Sequence, residues 1–481
     1  MATRFQQLIG GVFRDGEGSP LTSTNPADPS EVVAEGLTAT TGDLDKAVTA
    51  ASKAAADWAR TPVRERAVVL TRAAASLDAR AEEIGRELTR EEGKTLAEGI
   101  GEVRRAAEIL RFNAEEAHRP AGELFHSPRA GERIMVTRKP LGVVAVITPW
   151  NFPIAIPAWK IAPALVHGNT VVWKPASLVP LLAFRLTQAL NDAGLPPGVL
   201  SLLIGPGRMG QALVEHPAVR ALTFTGSTEI GTALMRICAS LRKPVQTEMG
   251  GKNAAVVLAD ADLERAARAV VSGAMVSTGQ KCTATARLIV ERSVEPELME
   301  RVDELVRELQ VGDGLEPSVA IGPAVSRSAR ADIEQSVERA QGAGATMRVQ
   351  SDLPLVGGSP DGHFVRPTVL SLPDTRLDVW RDEVFGPVLA TVTAADAEHA
   401  FALANDSAFG LSGSIFTSNL RTALDAVDRL DVGVLHINSE TTGADPHVPF
   451  GGAKDSGYGP KEQGRASREF FTTTTTVYLT D

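Results

Sequence analysis

Cysteine is the first scarcity: the 481-residue chain holds two, Cys238 and Cys282. Two cysteines cannot build a disulfide framework, so a disulfide-stapled secreted scaffold is excluded and a reducing cytoplasm is the expected setting. Histidine is sparse as well. Its eight residues are scattered without ligand spacing, and no metal site is expected. Basic charge is in deficit: 49 Lys and Arg stand against 59 Asp and Glu, a net −10, which disfavours nucleic acid and anionic membranes as partners. The N-terminus, Met1-Ala2-Thr3-Arg4-Phe5-Gln6-Gln7, lacks the apolar run of a signal peptide. Residues 141–166 are largely apolar, but Pro149, Pro153, Pro157 and Pro163, with Asn151 and Lys160, argue against a spanning helix. That segment reads as a buried strand, a turn and a helix.

What is present is ordinary globular composition, 43% apolar and 22% charged, at a length that predicts two or three lobes. The first forty residues, including Asn25-Pro26-Ala27-Asp28-Pro29, read as turns and short strands. From Asp43 the grammar is helical, with Leu44, Ala47, Val48, Ala51, Ala55 and Trp58 at three- and four-residue steps. Further helices are expected over about 63–89 and 95–117. From Gly142 strand and helix alternate. Residues 143–147, 170–173, 199–204, 221–224 and 245–248 read as strands of one parallel sheet. A second series starts near 254–258 and continues through 388–392 and 412–416 to 433–438. The expected fold class is α/β, two parallel-sheet lobes meeting near Glu248 and Cys282, with a pocket between them. The Thr-rich tail at 470–479 reads as a strand exposed at the chain end, which invites pairing with another chain.

Cys238, in Leu234-Met235-Arg236-Ile237-Cys238, has the helical spacing and apolar neighbours of a packed thiol. Cys282 does not. It lies in Gly279-Gln280-Lys281-Cys282-Thr283, a small polar loop without apolar periodicity. A nucleophilic thiol needs access, a lowered pKa and a nearby base. Glu248, in Glu248-Met249-Gly250-Gly251-Lys252-Asn253, is the candidate base. Thr148-Pro149-Trp150-Asn151-Phe152-Pro153 follows a strand and reads either as a packed turn or as a site loop. Lys174 and Ser177 follow another strand, where ribose contacts are expected in open α/β sheets, although Lys174 alone also reads as a surface lysine. Gly205-Pro206-Gly207-Arg208-Met209-Gly210 spells GxGxxG but lacks a well-placed acid at the end of the next strand. Asp382-Glu383-Val384-Phe385-Gly386-Pro387-Val388 reads locally as a charged loop entering a strand.

The Glu248 and Cys282 boxes stand 34 positions apart. Together with the boxes at 148–153, 224–231, 382–388 and 449–457, they resemble the NAD(P)-dependent aldehyde dehydrogenase superfamily over nearly the whole chain. The resemblance implies a Rossmann-like cofactor-binding domain (1–117 and 141–250), a catalytic domain (251–460) and a small β oligomerisation element (118–140 and 461–481) that joins a homodimer or homotetramer. It implies Cys282 as nucleophile, Glu248 as base for water and Asn151 as oxyanion donor. It places Thr148, Trp150, Lys174, Ser177, Gly207, Gly226, Ser227, Glu383 and Phe385 at the cofactor, with Ser227 at the pyrophosphate and Glu383 at the nicotinamide ribose. Asn405 and Asn438 are implied to be structural. Many NAD-preferring members carry glutamate where Ser177 stands, so either NAD or NADP is expected, with NADP tolerated and open to preference. Arg208 reads as a 2′-phosphate contact or as a solvated side chain.

The implied partner is a small aldehyde. The wording at 150–160, 277–285 and 447–450 most resembles the branch that oxidises α-ketoglutarate semialdehyde. Trp159 stands where succinate semialdehyde enzymes often carry arginine, which leaves Lys281, Arg287 and His447 as candidate anchors for a distal carboxylate. A broad-range or aromatic aldehyde oxidant is the alternative. Retention of Glu248 argues against a CoA-acylating enzyme, and the presence of Cys282, Glu248 and Asn151 together argues against a silent homologue.

Overall fold

The computed structural model describes residues 2–480. The fold is α/β, with two largely parallel sheets joined in sequence by the short link from Val245–Glu248 to Asn253–Val257. The chain leaves the C-terminal end of one sheet and starts at once at the N-terminal end of the other. Those two edges therefore face each other.

In the first sheet Val143–Ile147 is central. Thr170–Lys174 and then Leu200–Leu202 lie on one side, Val219–Thr225 and then Val245–Glu248 on the other, all parallel. Val143–Ile147 and Thr170–Lys174 are buried throughout, which explains the apolar run VVAVI and the apolar centre of TVVWK. The chain reverses its direction of winding between Val143–Ile147 and Val219–Thr225, and a crevice opens there at the C-terminal ends of the strands. Gln7–Ile9 and Val12–Arg14 extend one edge, and Gly457–Tyr458 pairs antiparallel with the other.

Four helices, Thr41–Arg60, Val63–Ala79, Ala81–Glu92 and Leu96–Ala114, contribute to the first lobe's core, where Leu77, Ile84, Leu88 and Leu110 are sealed. Thr40 with Asp43, and Thr95 with Glu98, form reciprocal capping boxes that satisfy the first free N–H groups. The single helix expected over 63–89 is two, broken at Arg80 (φ −113°). Apolar positions at Leu77, Ala81 and Ile84 run through the break, so periodicity did not mark it. A left-handed Gly93 (φ +105°) ends the third helix and turns Lys94 inward. Cys238 is fully buried against the first sheet, as its spacing predicts.

In the second sheet Thr368–Ser371, Val388–Ala394, Thr285–Glu291, Asn253–Val257, Ser412–Phe416 and Val434–Ile437 run parallel in that order, with Thr346–Gln350 antiparallel at one edge. Asn405 and Asn438 are structural. The first exchanges hydrogen bonds with the backbone of Arg429 and Asp431, the second with that of Thr417. A third, antiparallel sheet consists of Glu123–Phe125, Glu132–Pro140 and the tail strand Thr472–Thr480, paired from Thr472 with Pro140 to Thr480 with Glu132. The expected boundaries shift at the C-terminus. Gly457–Tyr458 belongs to the first sheet, and Phe470 and Phe471 are buried in the first lobe's core. A returning segment packs where its apolar side chains find a core, which linear order does not reveal. No helix among the described residues is long and apolar enough to cross a membrane.

Candidate active site

The helix Leu263–Met275 ends in a segment where Ser277 (φ 56°), Thr278 (φ 56°) and Gly279 (φ 63°) are successively left-handed. Each non-glycine residue there costs about 1–2 kcal/mol. The surroundings hold them: Ser277 Oγ donates to Glu98 at 2.7 Å and Thr278 Oγ1 to the Gly322 carbonyl at 3.0 Å. A Cβ on Gly279 would stand 2.2 Å from the Gly386 carbonyl, so only glycine fits. The turn delivers Gln280, Lys281 and Cys282 to the junction of the lobes. Asn253 then secures the loop. Its Nδ2 donates to the carbonyls of Cys282 and Ala284, both at 2.8 Å, and its Oδ1 accepts from Ser412 N at 2.9 Å.

Cys282 lies where two cavities meet. One, of about 690 Å³, is the crevice at the C-terminal ends of the first sheet. Thr148, Trp150, Asn151, Lys174, Gly207, Gly226, Ser227, Glu383 and Phe385 all line it. The other, of about 360 Å³, opens between Phe152, Trp159, Lys281 and Phe450. Ser177 is the exception among the expected cofactor residues. It is not in the cavity wall, and its hydroxyl donates to the Gly205 carbonyl at 2.8 Å.

The larger cavity fits an extended dinucleotide. It sits at the switch point of the sheet, and the 13-residue helix Thr228–Ser240 begins beside it with Ser227 as its N-cap. Lys174 is buried there with its ammonium bonded, among the described residues, only to the neighbouring Pro175 carbonyl, and burial lowers its pKa to about 8. Glu383 accepts from Gly251 N at 3.0 Å, and burial raises its pKa to about 7. Trp150 and Phe385 meet edge to face at 5.5 Å, and Phe385 itself is left-handed (φ 54°). Arg208 is exposed on the cavity's rim.

Asn151 is buried in the wall of the cavity that Cys282 also lines, its amide donating to the Gln280 carbonyl at 2.9 Å. Glu248 is buried too. Its carboxylate accepts from Gly452 N at 3.0 Å, lies against Gly451, and lines neither cavity. Burial and the adjacent Glu462 carboxylate raise its pKa well above the usual carboxylate range. The thiol runs opposite to the need stated from sequence. Burial, with the Glu383 and Glu248 carboxylates adding, pushes Cys282 up to about 12. Burial and the nearby carboxylates both favour the neutral thiol.

Several residues that serve this site carried no functional signal in the sequence. Lys94, sealed under the Asn151 turn, bonds Glu102 at 2.8 Å and the Asn151 carbonyl at 2.7 Å. Glu102 accepts from Ile154 N and Ala155 N on the same turn. Lys160 pairs with Glu462 and donates to Thr223 at 3.0 Å, forming a buried charge network behind Glu248. Lys160, isolated in apolar wording, was the one available clue; Lys94 stands in the polar run Glu91-Glu92-Gly93-Lys94-Thr95 and gave none. Of the candidate carboxylate anchors, Lys281 lines the smaller cavity, whereas Arg287 is spent on carbonyls of Lys252, Ala404 and Leu403, and His447 is exposed outside the cavity wall. No group of three or more His, Cys, Asp and Glu side chains suited to a metal occurs among the described residues.

A thiol in the wall of a dinucleotide crevice, with a buried amide in the same wall and a buried carboxylate near enough to act on the thiol's charge, suits a thiol-dependent oxidoreductase. The profile of the aldehyde dehydrogenase family matches residues 13–477. The chain is 40% identical over 463 residues to the alpha-ketoglutaric semialdehyde dehydrogenase of Bacillus subtilis, covering 96% of this chain and 95% of that one. It is 37% identical to the vanillin dehydrogenase of Corynebacterium glutamicum, covering 97% and 96%. A crystal structure of betaine aldehyde dehydrogenase from Staphylococcus aureus in complex with NAD+ superposes with a TM-score of 0.95 at 29% identity, over 98% of this chain and 94% of that one. The chain belongs to the aldehyde dehydrogenase family and is an NAD(P)-dependent enzyme that oxidises an aldehyde to a carboxylic acid.

Proposed function

We propose that the enzyme oxidises α-ketoglutarate semialdehyde, with Cys282 as nucleophile, Asn151 as oxyanion donor and Glu248 as base. The carrying observation for the substrate is the 40% identity to the Bacillus subtilis enzyme over nearly the full length of both chains. A cavity of about 360 Å³ beyond Cys282 suits a five-carbon aldehyde.

The cofactor is held in the larger cavity by Lys174, Ser227 and Glu383, with Thr148, Trp150, Gly207, Gly226 and Phe385 shaping the walls. When bound, its oxidised nicotinamide supplies the hydride acceptor and a positive ring. Cys282 Sγ releases its proton to solvent and, as thiolate, adds to the aldehyde carbon, forming a C–S bond and placing the carbonyl electrons on oxygen. The second N–H of the Asn151 amide and the Cys282 backbone N–H receive that alkoxide. Loss of hydride from the same carbon leaves a thioester on Cys282. Glu248 leaves Gly452, takes a proton from water, and the resulting hydroxide oxygen displaces sulfur. The acid departs and Cys282 is regenerated.

Ser177, being neutral and turned to Gly205, leaves room for a 2′-phosphate with Arg208 nearby, so we assign use of NADP as well as NAD. The three-stranded sheet joins subunits into a homodimer or homotetramer, since Leu124, Phe125, Tyr478 and Leu479 expose apolar surface on it. A reducing cytoplasm suits the working thiol.

A second reading, oxidation of aromatic aldehydes, is favoured by Phe152, Trp159 and Phe450 in the smaller cavity. Steady-state kcat/KM for α-ketoglutarate semialdehyde, succinate semialdehyde and benzaldehyde, each with NAD and NADP, separates the readings. A tenfold lead for the first supports the narrow assignment, equal values support a general oxidant, and a benzaldehyde lead supports the aromatic reading.

A further inference from the structure

The charges that face the smaller cavity are nearly all spoken for. Lys94 is bound to Glu102 and to the Asn151 carbonyl. Arg105, at the rim, pairs with Glu108 at 2.9 Å and with Asp445 at 3.3 Å. Glu98 accepts from Ser277 Oγ and from Thr95, and Glu102 from Ile154 and Ala155. Glu440 retains one buried oxygen without a partner.

Lys281 differs from the other cations. The residue is 9% exposed, it lines the cavity, and its ammonium makes no hydrogen bond or ion pair with any described residue. Burial lowers its hold on the proton, while Glu440 and Glu98 oppose that. A cation this largely buried, with its ammonium turned to the cavity and not to a protein acceptor, is a cost that folding alone does not offset. An anionic ligand group in the cavity removes it.

We propose that Lys281 receives a carboxylate at the far end of the substrate, holding it by an ammonium–carboxylate hydrogen bond while the aldehyde carbon meets Cys282. The inference rests on the reading that the substrate carries such a carboxylate, and it goes further by naming the group that selects it. Anchor and nucleophile are consecutive residues, with α carbons about 3.8 Å apart, on a loop fixed by Asn253 and by the left-handed turn before it. Both residues therefore line the same cavity from one fixed loop. This replaces the absent arginine at Trp159 with a cation from the catalytic loop itself.

The test is kcat/KM of the wild type, Lys281→Met and Lys281→Arg on α-ketoglutarate semialdehyde, succinate semialdehyde and the uncharged pentanal. Lys281→Met is expected to lose about 10- to 100-fold more on the carboxylated aldehydes than on pentanal, chiefly in KM. Lys281→Arg should recover part of that difference. Equal loss on charged and uncharged aldehydes, or no loss at all, overturns the anchor while a wild-type preference for α-ketoglutarate semialdehyde still stands. A wild type that prefers succinate semialdehyde, with Lys281→Met losing that preference selectively, sustains the anchor and sinks the substrate assignment. A wild type indifferent to the carboxylate overturns both.

Discussion

Lys94 is 2% exposed and 57 residues from Asn151 in sequence, yet it holds the Asn151 turn from beneath. Its ammonium lies 2.8 Å from Glu102 Oε2, 2.7 Å from the Asn151 carbonyl, 3.9 Å from Glu92 and 4.1 Å from the centre of the Phe152 ring. Replacing it in Lys94→Met leaves Glu102 and the Asn151 carbonyl buried without their donor. Glu92, pushed up to about 8 by burial, is largely protonated at pH 7 and adds little to the deficit. Breaking one side of a buried ion pair costs about 3–5 kcal/mol, and the thermal midpoint should fall accordingly. The catalytic effect is smaller than outright removal of an oxyanion donor, which costs about 10²–10³ in kcat. The Asn151 amide keeps its bond to Gln280, so a loss of about tenfold is expected for Lys94→Met. Glu102→Gln in the same chain removes the stranded charge while keeping the acceptor for Ile154 and Ala155. The double variant should therefore regain stability over Lys94→Met without regaining kcat. Scanning calorimetry and steady-state assays on one preparation give both numbers. A single variant with wild-type midpoint and wild-type kcat would refute the reasoning.

Glu248→Gln should form the thioester but hydrolyse it slowly, so rapid mixing should show close to one equivalent of reduced cofactor per site followed by turnover reduced about 10²–10⁴-fold; a missing burst would mean that Glu248 serves an earlier step. Because burial and two carboxylates raise the Cys282 pKa to about 12, the free enzyme holds almost no thiolate at pH 7. Alkylation of Cys282 by iodoacetamide should rise about tenfold per pH unit through pH 10, and a plateau near pH 8.5 would contradict the environment described. Ser177→Glu should lower kcat/KM for NADP at least tenfold relative to NAD by placing a carboxylate near the 2′-phosphate; an unchanged ratio would remove Ser177 from cofactor choice.

Much of the fold was legible because it is local. The runs VVAVI and TVVWK are apolar on both faces, so they declared strands buried in a parallel sheet, and their alternation with helical spacing declared the two lobes. The contrast between Cys238 and Cys282 was also legible, since one has helical apolar neighbours and the other a polar glycine-containing loop. The break at Arg80 was not, because the apolar period continues through it. Nor was the left-handed run Ser277–Thr278, whose residue types favour no such conformation and which stands only because Glu98 and Gly322 hold it.

By itself the sequence determined the order of elements, the faces they bury and which residues carry reactive groups, because those properties depend on neighbours a few positions away. Only the tertiary structure decided how those groups are tuned. Lys160 meets Glu462 across 302 positions, and Lys94 meets Asn151 across 57. Cys282 receives its high pKa first from burial and then from carboxylates that other strands and loops bring near it. Lys281 lies in the same box of sequence as the nucleophile, yet only the packed cavity shows that its ammonium has no partner among the described residues. Burial and electrostatic coupling act through space, and their strength is set when distant segments come together and exclude water.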